Sequence, residues 1–138
     1  HQKSVDLSGK KVLLVEDNAI NMEIARVILE EEKLDITEAK NGQEALDIFR
    51  NSEAGEYDFI IMDVMMPVMD GLEATKAIRM LNREDAKRIP IIAMTANAFE
   101  EDRKACLDAG MNEHIGKPIN IPLLKQIMIK LVSEKKVE

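Results

Sequence analysis

The sequence predicts an α/β domain built on a five-stranded parallel sheet with helices covering both faces. Three observations carry this. Strand and helix signals alternate five times along the chain, the strands are uninterrupted apolar runs, and 138 residues suit a single domain. Residues 1–10 are polar and without periodicity, and are expected to be a linker or a cloning remnant. "KVLLVE" (11–16) is the first strand, followed by Ile20, Ile24, Val27 and Ile28 at helical spacing up to the acidic run 30–32. "DITEA" (35–39) is a short second strand, after which Asn41-Gly42 opens a helix carrying Ala45, Leu46 and Phe49. "YDFIIM" (57–62) is the third strand, and the helix after Gly71 carries Leu72, Thr75, Ile78 and Arg79. "IPIIAMT" (89–95) is the fourth, with Pro90 at its start, where a missing N–H is tolerable. A helix from about Ala98 to Ala109 stops at Gly110, a natural residue to follow a helix end. "EHIGK" (113–117) is the fifth strand, and a last helix with Leu124, Ile127, Met128 and Leu131 ends in a charged tail. The domain is expected over 11–134, with 135–138 as tail.

Composition narrows the function. Aromatics are 3% of the chain, so aliphatic side chains and nine methionines must fill the interior. A net charge of -7 disfavours binding to nucleic-acid phosphates, which requires a basic patch to displace counterions. Cys106 is the one cysteine and cannot form an internal disulfide; a buried thiol in a reducing compartment is expected. No run of about 18 apolar residues and no signal-peptide pattern is present, so the expectation is a soluble, cytoplasmic chain without membrane insertion. No output domain is expected after the last helix.

In parallel sheets of this kind, ligands collect beyond the carboxyl ends of the strands. The residues there are Glu16 and Asp17 after the first strand, Asp63 after the third, Thr95 after the fourth and Lys117 after the fifth. Three acids brought together repel unless a proton or a cation intervenes, so at least one carboxyl is expected to bind its proton more tightly than usual. Oxygen donors without His or Cys favour Mg²⁺. A carboxylate can also attack phosphorus to give an aspartyl phosphate, whose charge a metal, an ammonium and a hydroxyl would meet. Each residue alone has a plainer explanation. Asp63 could cap a turn, Asp17 or Asn18 could cap the first helix, Thr95 could be structural, and Lys117 could be a solvated surface lysine.

The motifs "LLVEDN", "DVMMPVMDG", "AMTAN" and "HIGKP" occur in the order and at the spacing that mark a family, and over residues 10–134 the chain resembles the receiver domains of two-component response regulators. "VEDNAIN" and "MTANAFEEDRKACLDAGMNEHIGKPI" are most similar to receivers attached to hybrid sensor histidine kinases. The resemblance implies a flavodoxin-like doubly wound (βα)5 fold with strand order 2-1-3-4-5. It makes Asp63 the residue phosphorylated from a phosphohistidine in a Mg²⁺-dependent reaction. Asp17 would hold the metal directly and Glu16 mainly through water, with Asp63 and the Met65 backbone carbonyl as further ligands. Thr95 and Lys117 would contact the phosphoryl group, and the Lys117-Pro118 bond would be cis. The switch position, usually Tyr or Phe, falls on His114, which would respond together with Thr95. Asn18, Ile20, Asn21 and Ile24 would dock the partner, which is a kinase phosphohistidine domain or a histidine phosphotransfer domain. Such a domain assists its own phosphorylation and dephosphorylation; within a hybrid kinase the full-length protein would be a histidine kinase. The alternative is a stand-alone response regulator acting by docking to partners.

Competing assignments fit less well. A flavodoxin-type nucleotide binder needs a phosphate-cradling loop after the first strand, where this chain has two acids. A phosphohydrolase with an aspartate nucleophile carries a second acid two residues on, where this chain has Met65. A receiver that only binds partners would lack one of the acids or the lysine.

Overall fold

The computed structural model describes residues 7–66, 68–96, 100–117 and 119–137. Strands β1 (Lys11–Val15), β2 (Asp35–Ala39), β3 (Phe59–Asp63), β4 (Ile91–Thr95) and β5 (Glu113–Gly116) form one parallel sheet in the order β2-β1-β3-β4-β5. Between and after them run α1 (Ala19–Glu31), α2 (Gly42–Asn51), α3 (Gly71–Arg79), α4 (Glu84–Arg88), α5 (Glu100–Ala109) and α6 (Ile121–Val137). The expected strand order is observed. Pro67, Ala98 and Pro118 lie outside the described residues, so the expected cis peptide and the first turn of the 98–109 helix do too.

The alternation of side chains along each strand splits the interior into two layers. Leu13, Val15, Ile60, Met62, Ile91 and Ala93 face α2, α3, α4 and α5 in one cluster, which includes Phe49, Ile78 and Cys106. Val12, Leu14, Phe59, Ile61, Ile92 and Met94 face α1 and α6 in the other, which includes Met22, Leu29, Leu124 and Met128. Every residue of β3 and β4 is buried, as the uninterrupted apolar runs require. In the edge strand β2 only Ala39 is buried.

Several boundaries differ from the sequence expectation. The third strand begins at Phe59, because the Asp58 carboxylate accepts the Lys11 N–H (2.9 Å) and turns the chain into the sheet. The fourth begins at Ile91, whose N–H is taken by the Asn112 side chain at 2.8 Å. Residues 7–10, expected to be linker, belong to the fold: Leu7 is buried in the α1/α6 layer and the Gly9 N–H donates to the Lys33 carbonyl at 2.8 Å. The tail expected from residue 135 is helical to Val137, as its run of Glu and Lys favours. Gly110 ends α5 as expected, in the left-handed conformation (φ 113°). The N–H groups of Gly110 and Met111 there reach the carbonyls of Leu107 and Cys106, closing a Schellman motif.

Two arginines hold the segment between α3 and β5. Half-buried Arg79 donates to the Gly110 carbonyl (2.8 and 3.0 Å), the Ala86 carbonyl (3.0 Å) and Asn112 Oδ1 (3.0 Å); its partial burial lowers the guanidinium pKa. Arg83 caps the end of α2 by donating to the carbonyls of Phe49 (2.7 Å), Arg50 (3.2 Å), Ser52 (3.0 Å) and Glu53 (3.1 Å). It also pairs with Asp85 at 2.8 Å and lies over the Phe49 ring, 4.7 Å from its centre. The Phe49 and Arg50 carbonyls belong to the last turn of α2, where intrahelical donors run out, and Arg83 serves them together with the two carbonyls just beyond, so its loss is expensive. Arg83→Ala is expected to lower stability by about 2 kcal/mol in chemical denaturation. A loss below about 0.5 kcal/mol would mean that water serves those carbonyls equally well.

Candidate functional site

The site lies beyond the carboxyl ends of β1, β3, β4 and β5, and the sheet ladder carries each side chain to it. The Glu16 N–H donates to the Ala39 carbonyl (3.1 Å), extending the β1 pairing by one residue. Asp63 is the last residue of β3, paired with Met94, and the Lys117 N–H donates to the Thr95 carbonyl at 3.0 Å. Glu16, Asp63 and Thr95 are buried although polar. Carboxylate oxygens of Glu16, Asp17 and Asp63 lie within 4.8 Å of one another. Asp17 is exposed and closes the cluster on the solvent side.

Lys117 spans the two buried acids. Its ammonium is 3.0 Å from Glu16 Oε1 and 3.0 Å from Asp63 Oδ2. The second oxygens are met by backbone donors: the Asn18 N–H reaches Glu16 Oε2 at 3.1 Å and the Met65 N–H reaches Asp63 Oδ1 at 3.3 Å. Asn18 is the residue that caps α1, accepting the Asn21 N–H at 2.9 Å. That leaves the Asp17 carboxylate free of the capping role the sequence left open.

The ionisation of the cluster follows from these contacts. Burial raises the Glu16 carboxyl above its usual range; Lys117 and the Asn18 N–H pull it down, and the charge of Asp63 adds a smaller upward push. The expected raised carboxyl is therefore present, but its first cause is burial, with like-charge repulsion well behind. Burial also pulls the Lys117 ammonium down, yet its hydrogen bonds to Glu16 and Asp63 outweigh this and leave it raised.

The loop from Val64 to Asp70 forms one wall. It is closed at its neck by the Gly71 N–H donating to the Val64 carbonyl at 2.9 Å, and Val64 is held by the Met94 carbonyl at 3.0 Å. Asp70 caps α3 in a reciprocal capping box with Glu73. The Met65 and Val68 side chains are exposed, and Val68 takes φ 71°, a strained choice for a β-branched residue. Nothing in the sequence signals that strain.

Thr95 lines a cavity of about 190 Å³ together with Val64, Met65, Ala96, Ala105 and Cys106. His114 pairs with Ala93 across β4 and β5, so it shares a sheet face with Thr95, its diagonal neighbour. The ring is half-buried, and its Nδ1 is buried without a hydrogen-bond partner among the described residues. On the other face, Asn21 and Ile24 line a cleft with Glu16, Lys117, Met94 and Ile119. Ile20 and Ile24 are 71% and 52% exposed, so neither is a core residue. Ile119 and Met94 were not singled out in the sequence; Ile119 could have been found from its place two residues after Lys117.

The residues thus brought together define a class. The model of the response regulator receiver domain matches residues 12–129, and the chain belongs to that family. It is 40% identical over 131 residues to hybrid signal transduction histidine kinase I of Dictyostelium discoideum, covering 90% of this chain and 8% of that protein. Across the first curated relatives the chain spans between 5% and 15% of their length. Among solved structures, the receiver domain of sensor histidine kinase PA1611 from Pseudomonas aeruginosa, with a magnesium ion coordinated in its active site cleft, has a TM-score of 0.80 at 37% identity. That similarity covers 91% of this chain and 99% of that one. The Ssk1 receiver domain of Saccharomyces cerevisiae, solved with the histidine phosphotransfer protein Ypd1, gives 0.76 at 35% identity over 88% and 87% of the two chains.

The raised Glu16 carboxyl has a consequence for pH. A carboxyl that holds its proton more tightly when folded destabilises the fold as pH climbs above the unfolded value near 4.3, and the penalty is complete above the folded value. Lys117 acts oppositely at the alkaline end: its stabilisation is complete below the unfolded value near 10.4 and is lost as pH rises through the folded one. Glu16→Gln is expected to remove this penalty. In metal-free thermal melts, its stability at pH 7 relative to pH 4.5 should exceed that of the parent. Parallel curves for the two proteins would contradict the assignment.

Proposed function

We propose that this domain accepts a phosphoryl group on Asp63 from a phosphohistidine and relays the event through its partners. The observation that carries it is the bridging of buried Glu16 and Asp63 by Lys117, with Asp17 completing an all-oxygen cluster. Such a donor set fits Mg²⁺, with Asp17, Asp63 and the Met65 carbonyl as ligands and Glu16 acting mainly through water. Magnesium bound there would neutralise charge on the transferring phosphoryl oxygens. An Asp63 carboxylate oxygen forms the new bond to phosphorus as the phosphorus–nitrogen bond breaks, and the donor imidazole leaves. Lys117 then exchanges one carboxylate contact for a phosphoryl oxygen, and the Thr95 hydroxyl takes another. The cavity beside Thr95 gives its side chain room to move, and His114 is its diagonal neighbour on the same sheet face, which supports a switch through these two residues. Because phosphorylation biases an existing equilibrium, both arrangements are populated beforehand.

The domain acts in the cytoplasm as the receiver of a hybrid histidine kinase, taking the phosphoryl group from the kinase histidine and passing it to a phosphotransfer-domain histidine. Its similarity to kinase-linked receivers supports this. Among the described residues no helix is long and apolar enough to cross a membrane. The donor docks over Asn18, Ile20, Asn21 and Ile24, where an apolar strip one helical turn long borders the acidic rim.

Two experiments test this. Asp63→Asn should abolish acyl-phosphate formation in intact-mass measurements and weaken Mg²⁺ binding. Its metal-free melting temperature should equal or exceed that of the parent; a clearly lower one would mark Asp63 as structural first. Ile20→Asp should slow transfer from a phosphohistidine donor at least tenfold, the equivalent of about 1.4 kcal/mol, without changing phosphorylation by acetyl phosphate. Equal transfer rates would remove α1 from the docking surface.

A further inference from the structure

The loop that presents Asp63 and Met65 is supported from outside at a point remote from the cluster. Its neck is closed internally by Gly71 and Val64, and Met65 is tied to Asp63 itself. Near its far end the Met69 carbonyl accepts the N–H of Gly42, the first residue of α2, at 3.0 Å. Gly42 is buried, and a Cβ built on it would overlap the Met69 carbonyl oxygen and come within 2.9 Å of the Ala74 side chain. The Met69 side chain packs against the α2/α3 layer, so the loop cannot yield simply by swinging outward. Strain at Val68, next to this tether, is consistent with a loop held in a shape it would not choose alone.

We propose that Gly42 is a positioning residue for the metal-binding loop: its N–H fixes the Met69 carbonyl, and its missing side chain lets α2 seat against the loop that follows Asp63 and carries Met65. This rests on the assignment of those two residues to Mg²⁺ binding. Loop carbonyls make stringent ligands because their direction is set by the backbone on both sides. A displacement at Met69 travels the few residues to Met65 and misdirects its carbonyl. Supporting groups of this kind commonly tune metal affinity by one to two orders of magnitude. The nearest neighbours of a Gly42 side chain are Met69 and Ala74, neither of them in the cluster, so its effect would pass through the loop.

Magnesium titration of the whole chain, followed by calorimetry and by the amide signals of Asp63 and Met65, tests the idea. Gly42→Ala should bind Mg²⁺ about tenfold more weakly than the parent. Arg83→Ala, destabilised at the opposite end of the sheet, should bind it as the parent does. In the unsubstituted chain the Gly42 amide should exchange more slowly with solvent once Mg²⁺ is added, which keeps the test valid should Gly42→Ala not fold. Unchanged affinity in Gly42→Ala, equal weakening in Arg83→Ala, or a Gly42 amide indifferent to Mg²⁺ would each overturn the proposal. A parent chain that does not bind Mg²⁺ at all would instead overturn the metal-site assignment beneath it.

Discussion

The Lys117 ammonium, 3.0 Å from both Glu16 and Asp63, is the interaction on which the rest of the site depends. Two buried carboxylates at this separation would otherwise repel in a medium that screens poorly. With the ammonium between them, one positive charge faces three negative ones, Asp17 included. The imbalance is what gives the cluster its appetite for a cation, and the same crowding of like charge works against stability. Burial of Glu16 sharpens the effect, since a carboxylate short of water is stabilised by whatever positive charge arrives.

Backbone geometry makes that interaction possible. Parallel strands deliver Glu16, Asp63, Thr95 and Lys117 to one edge because all five strands run the same way and the order β2-β1-β3-β4-β5 keeps their contributors adjacent. The Lys117 N–H continues the β4–β5 ladder through the Thr95 carbonyl, so the lysine leaves the sheet already aimed across it. Asp63 stands where β3 ends, with the Val64 N–H still held by β4. The carboxylate in the middle of an apolar run is thereby explained: the strand needs the apolar residues, and the site needs the first residue past them.

Much of this could be read from the residues. Strands β1, β3 and β4 announce themselves because burial on both faces demands unbroken apolar runs, and Glu16, Asp63 and Thr95 stand at the ends of such runs or just beyond. Helix α4 could not be read, because its five residues are nearly all charged and carry no periodicity. The capping of α2 by Arg83 joins residues more than 30 positions apart, which no local pattern encodes. Leu7 reads as part of a polar linker because two apolar residues, Val5 and Leu7, make no pattern, yet Leu7 is enough to plug the α1/α6 layer. The raised Glu16 carboxyl was foreseeable from charge, but its main cause needed the burial that only the folded chain supplies.

The sheet also partitions the interior. Leu14 and Met94 look toward α1 and α6, while Val15 and Ala93, their neighbours in the chain, look toward α2, α3 and α5. The cleft beside Ile24 belongs to the first side and the cavity beside Thr95 to the second. The sheet lies between the two sets of side chains, so substitutions well separated on opposite sides are expected to add their effects. A lineage of duplicated copies could therefore vary the residues on one side while those on the other drift under separate selection.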